Sequence, residues 1–142
     1  MKILIAFLLF VSLGHAQDVK ATDFSQEDGR MRFKDKSFNF KNGNGQMSSV
    51  STSIFMSEKE FKDLKIETIN KMLLIANEKA PGQLKNKSTY NPKSIRMDLS
   101  QADNTWRVWI EYTAQNDFGA TKDGSVFVFY NLDGTYKNTV NL

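Results

Sequence analysis

The chain has no cysteine, and its single histidine, His15, falls within the first sixteen residues. Together these gaps exclude Cys-His and Ser-His nucleophilic sites, a histidine general base and the usual zinc donor sets for everything after position 16. Packing alone has to hold the fold, because no disulfide can form. A bacterial lipoprotein needs a cysteine at its processing site, so a lipid anchor of that kind is not expected. Long apolar runs are missing after Val11: no later stretch approaches the ~18 residues of a spanning helix. A strong excess of one charge is missing too. With 19 basic and 16 acidic side chains the formal charge is +3, whereas nucleic-acid binding usually shows as a concentrated basic face.

What is present starts with a targeting signal. Met1-Lys2 is a short positive start, Ile3 to Val11 an unbroken apolar run, and Ser12-Leu13-Gly14-His15-Ala16 supplies small residues before a cut. That is the three-part layout of a secretory signal peptide. The expected organisation is a signal over 1–16, a flexible leader over 17–30 and a single domain over 31–142. The expected location is the periplasm or the cell exterior, as a soluble product. One local charge imbalance stands out, since Lys79, Lys85, Lys87, Lys93 and Arg96 occur in a stretch without acids. A solvated loop is its simplest reading.

Alternation begins at Met31 and Phe33, continues at Phe38 and Phe40, and reaches Asn42-Gly43-Asn44-Gly45, a turn signal that tolerates positive φ. A strand and hairpin over 31–55 is expected. Ser57-Glu58-Lys59-Glu60 is a capping box. Phe61, Leu64, Thr68, Met72, Ala76 and Ala80 then follow at three- and four-residue steps until Pro81-Gly82, which predicts one helix over about 58–80. Four strand candidates complete the chain: Ile95 to Leu99, Trp106 to Tyr112, Val126 to Tyr130 and Tyr136 to Val140. The fold class this predicts is α+β, one long helix packed on an antiparallel β-meander and preceded by an N-terminal hairpin.

That order of elements also occurs in cystatin-like folds. The inhibitors' Gln-x-Val-x-Gly loop is absent, because Gln46-Met47-Ser48-Ser49-Val50 does not fit it, and element order alone carries no function. Two further stretches, Leu84 to Tyr90 and Thr113 to Ala120, resemble a module of uncharacterised exported bacterial proteins. In that module a Leu-Lys-Asp-Pro-x-Ser-type segment precedes an Asn-x-Phe-Gly hairpin. The likeness spans about residues 84–130, with Lys87 where proline is usual and Ala120 in place of a second glycine. It implies an exported α+β module of unknown activity.

The residues left for chemistry are carboxylates, lysines and tyrosines. A glycosidase holds two carboxylates across a cleft, and Glu111, set among aromatics on a strand, suits one of them. Asp123-Gly124 and Asp133-Gly134 read as hairpin turns rather than calcium loops. No cofactor or metal is expected. Phe118, in the Asn116–Gly119 turn, is expected to fold back onto the core; the alternative is a loop that presents it to a partner as a binding residue. The feature that exceeds ordinary packing is aromatic material on both faces of adjacent strands. Trp109, Phe127 and Phe129 oppose the Val108/Ile110 and Val126/Val128 sets, with Arg107 and Glu111 at the edge. One helix covers one face. The expected cover for the other is the Met31/Phe33/Phe38/Phe40 segment; the alternative is a protein or small ligand anchored on Trp109, Phe127 and Phe129. A non-catalytic exported binding or interaction module is therefore the leading function class, with a small carboxylate hydrolase as the alternative.

Overall fold

A strand whose residues alternate apolar and polar declares two faces but not its neighbours, and neighbours decide this architecture. The computed structural model describes residues 18–142, so the expected signal over 1–16 lies outside the described residues. Among the described residues there are seven strands: β1 (Ser25–Glu27), β2 (Arg30–Lys41), β3 (Met47–Ser57), β4 (Asn91–Ser100), β5 (Thr105–Gln115), β6 (Thr121–Tyr130) and β7 (Tyr136–Asn141). They form one sheet in sequential order. Every pairing is antiparallel except β3 with β4, which is parallel. Between those two strands run α1 (Glu58–Leu64) and α2 (Ile66–Lys79).

This corrects the expected single long helix on an antiparallel meander with a separate hairpin in front. The chain is mostly sheet, the sheet is mixed, and β2–β3 belong to it rather than forming a layer of their own. A parallel pair needs a crossover, and the helical segment is that crossover: it returns the chain so that β4 starts beside the start of β3. The capping box forms as the sequence predicts, with the Glu60 N–H donating to Ser57 Oγ at 3.1 Å and the Ser57 N–H to Glu60 Oε2 at 2.7 Å. The helical period nevertheless breaks at Lys65, whose φ of 63° lies in the left-handed region. The break turns the chain from α1, which lies against β2 and β3, to α2, which reaches β5, β6 and β7.

Helix α2 buries Ile69, Met72, Leu73 and Ala76 on the sheet face that carries Val50, Ile54, Ile95, Met97, Val108, Ile110, Val126 and Val128. Three hydrogen bonds bolt the layers together. The Tyr130 hydroxyl donates to the Met72 carbonyl at 2.6 Å, the Tyr90 hydroxyl to Asn77 Oδ1 at 3.0 Å, and Asn77 Nδ2 to the Lys41 carbonyl at 2.8 Å. The start of the described chain is tied to the same helix. Asn70 accepts from the Val19 N–H and donates to the Val19 carbonyl, both at 2.8 Å, and Val19 is buried. Phe24 then packs on Phe33 and Phe61.

A bulge explains how β2 buries its aromatics. Phe33 and Phe38 are an odd number of residues apart, which in a regular strand would put them on opposite faces. The register shifts between Phe33 and Lys36, at Asp35 with φ 48°, and the extra residue returns Phe38 and Phe40 to the helix side.

Two predictions follow from this packing. Burial pushes the phenols of Tyr90 and Tyr130 up, while in the unfolded chain they ionise near pH ~10. The unfolded state then releases protons first, so stability is intact below about pH 10 and falls as pH rises above it. Phenolate absorbance from these two residues should appear together with loss of circular dichroism; its appearance in a chain that is still folded would contradict the packing. Gly43 supplies the second. A Cβ there would sit 2.0 Å from the Lys87 carbonyl oxygen, whereas one on Gly82 meets nothing within 4 Å. Gly43→Ala should cost about 1–3 kcal/mol in urea melts, and Gly82→Ala should not destabilise.

Candidate functional site

Because Trp106, Val108, Ile110, Tyr112 and Ala114 point toward α2, the alternate residues of β5, Arg107, Trp109 and Glu111, must face away from it. The same alternation puts Ser125, Phe127 and Phe129 of β6, Ser94, Arg96 and Asp98 of β4, and Ser51, Ser53 and Phe55 of β3 on that side. Strand register sorts them into rows. One row runs Phe127, Trp109, Arg96, Ser53; a second runs Phe129, Arg107, Asp98; a third runs Ser125, Glu111, Ser94, Ser51.

The first two rows form an aromatic and guanidinium strip. Trp109 and Phe127 have ring centroids 5.9 Å apart, and Phe127 and Phe129 5.8 Å apart, all tilted. Asp98 organises the cations beside them. Its carboxylate accepts from Arg107 Nε at 2.5 Å and Nη2 at 3.2 Å, and Arg96 Nε lies 3.6 Å away. Held there, the Arg96 guanidinium lies 4.9 Å from the Phe55 ring centroid and that of Arg107 5.9 Å from Phe127, within cation–π range. The hydrogen bond that Arg107 donates to Asp98 also pushes the Arg107 pKa up, so this cation is fixed in charge.

Two depressions on this face border Trp109. One, of about 200 Å³, is lined by Arg96, Asp98, Arg107, Trp109 and Phe127. The other, of about 300 Å³, extends from Lys34 and Asp35 past Ser53 and Ser94 to Trp109 and Glu111. Trp109 Nε1 has no hydrogen-bond partner. Glu111 accepts from Ser94 Oγ at 2.6 Å.

The expected cover is not over this face. Phe33, Phe38 and Phe40 are buried on the helix side of β2, within the same sheet, so the N-terminal segment widens the sheet instead of forming a lid. Among the described residues Trp109, Phe127 and Phe129 are left half-buried.

Phe118 behaves differently from expectation. It is 95 % exposed, because Asn116 Oδ1 takes the N–H groups of both Phe118 and Ala120 at 3.0 Å and fixes a turn with the ring outside it. The tip lies beyond the Gln115–Thr121 pair, six pairs from Trp109–Phe127, or about 20 Å along the strands. Five of the six sequence-predicted residues therefore share one face, and Phe118 stands apart.

Arg96, Asp98 and Phe55 were not among the expected site residues. The Ile95/Met97/Leu99 alternation does put Arg96 and Asp98 opposite the core, so their signal was present. Phe55 arrives only through the parallel β3–β4 pairing, which no local pattern announces. Asp35 and Glu111 both line the second depression, on backbones well separated across the sheet. Asp98 pairs with Arg107, four positions from Glu111 along β5, and Asp35 on β2 is three strands from β5; either backbone separation is about 14 Å. Among the described residues no three metal-ligating side chains converge, and no helix is long and apolar enough to cross a membrane.

No family model matches this sequence, and no curated protein or solved structure is significantly similar to it.

The two tryptophans give a direct comparison, since Trp106 is 2 % exposed on the helix side. Trp106→Ala should cost about 3–5 kcal/mol. Trp109→Ala, which loses the contact with Phe127 but leaves no enclosed cavity, should cost about 1–2 kcal/mol. Denaturant melts of both variants check this, and equal losses would mean that the Trp109 face is covered.

Proposed function

We propose that the chain is a non-catalytic binding module, working outside the cytoplasm, that receives a partner protein on the helix-free face of its sheet. The observation that carries the reading is the contiguous strip of Trp109, Phe127 and Phe129, flanked by Arg96 and Arg107 that Asp98 holds over aromatic rings. Tryptophan and arginine are the side chains that most often anchor protein interfaces, and anchors already fixed in place lose little entropy on binding. The mixed charge of the face suits a partner surface that is itself mixed. A hydrolase reading is less well supported, because paired carboxylates acting on a glycosidic bond lie roughly 5–10 Å apart.

Site-specific photocrosslinking tests the assignment. A crosslinker at Ser53, on the proposed face, should give a discrete adduct in cells, and one at Leu74, exposed on α2, should not. Adding Trp109→Ala should weaken capture by about thirtyfold or more, as loss of a central anchor does. An adduct formed equally from Leu74, or one indifferent to Trp109, would contradict the reading. Polysaccharide or peptide hydrolysis abolished by Glu111→Gln would replace it with the carboxylate mechanism.

A further inference from the structure

Three segments far apart in sequence meet at one end of the sheet. The β2–β3 turn joins the 84–90 loop through the Gly43 N–H, which donates to the Tyr90 carbonyl at 2.7 Å. That loop joins the β5–β6 hairpin in turn. Asn86 Nδ2 donates to the Asn116 carbonyl at 3.0 Å, the Gln115 N–H donates to Thr89 Oγ1 at 2.8 Å, and Lys85 pairs with Asp117 at 2.6 Å. The tip is thus a braced structure, and it holds Phe118 with 95 % of its surface in water. Leaving a large ring outside a firmly hydrogen-bonded turn sacrifices its hydrophobic stabilisation, and bracing it there adds an ordering cost.

Charge around the ring is one-sided. Lys41, Lys85, Lys87 and Lys122 are all exposed at this end, against Asp117, which Lys85 pairs, and Asp123; Lys93 lies further back, in a depression it shares with Glu111. We infer that this end is a peripheral docking tip for an anionic phospholipid surface, with Phe118 inserting among the headgroups while the lysines meet the lipid phosphates. A protein partner fits the same features less well. Lysine is depleted at protein interfaces, and an anchor residue there sits inside a ring of supporting contacts. Phe118 instead projects from a convex tip, and the other exposed large apolar side chains among the described residues, Leu74, Leu132, Tyr136, Val140 and Leu142, lie off it. One inserted aromatic ring combined with several lysines supplies the two signals that reversible membrane attachment needs.

The absence of cysteine makes the test simple. An environment-sensitive fluorophore is attached at Ala120→Cys in the full chain, which is then mixed with vesicles of phosphatidylglycerol or of phosphatidylcholine. Any membrane affinity of the apolar run at 3–11 acts on both vesicle types and does not depend on Phe118. Emission should shift to the blue with phosphatidylglycerol alone. Phe118→Ala should weaken the response by about tenfold or more. Lys87→Glu combined with Lys122→Glu should weaken it by roughly twentyfold or more, since each basic residue near an anionic surface contributes about fivefold. Circular dichroism of each variant confirms that it is folded. No shift with phosphatidylglycerol, an equal shift with phosphatidylcholine, or a shift that survives Phe118→Ala would overturn the inference; a tip that ignores both vesicles while Phe118 governs attachment to cells would assign it to a protein receptor.

Discussion

One helix can cover only one face of a sheet, and this chain gives a seven-strand sheet a single helical crossover. Most features of the molecule follow from that mismatch. The face under α2 is a sealed core, where Val50, Ile54, Val108, Ile110, Val126 and Val128 have no exposed surface. The opposite face has to be something other than core. It carries serines toward one end, arginines joined through Asp98 in the middle and an aromatic strip on β5 and β6, which is why both the charge network and the half-buried rings collect there.

The polar bolts matter because they fix which face is covered. Tyr130 reaches the Met72 carbonyl from the sheet and Tyr90 reaches Asn77 from the loop before β4, so α2 cannot slide without leaving buried donors unpaired, a loss that exceeds the net worth of the bonds themselves. Asn77 links the helix to Lys41 at the end of β2, and the 84–90 loop links that same end to the β5–β6 hairpin. The basic tip with Phe118 is therefore a consequence of how the crossover is anchored rather than an independent ornament. The aromatic strip and the tip are about 20 Å apart along β5 and β6, far enough for a partner on the face and a surface at the tip to be engaged at once.

Much of this was legible in the sequence, and the illegible part has a common physical cause. Local signals survived: the Ser57–Glu60 capping box, the stripe that becomes the buried face of α2, and the alternation that separates Trp106 from Trp109. What local pattern cannot express is partner choice between strands. The parallel β3–β4 pairing, which merges the N-terminal hairpin into the sheet and brings Phe55 under Arg96, depends on where the crossover lands. The break at Lys65 interrupts no apolar period and so leaves no mark in it. The β2 bulge at Asp35 is equally silent, and without it the Phe33/Phe38 spacing reads as two faces. Phe118 was misread for a different reason: a turn residue with a large ring is usually drawn onto the core, but here Asn116 captures the backbone on both sides of it and directs the ring outward.

The central claim is that the Trp109 face of the sheet is open while the Trp106 face is sealed by α2. Collisional quenching by acrylamide in the two single-tryptophan variants, Trp106→Phe and Trp109→Phe, measures it directly. The account predicts that Trp109, alone in the Trp106→Phe protein, is readily quenched, and that Trp106, alone in the Trp109→Phe protein, is shielded until the chain unfolds. Equal shielding of both tryptophans in the folded protein would contradict it.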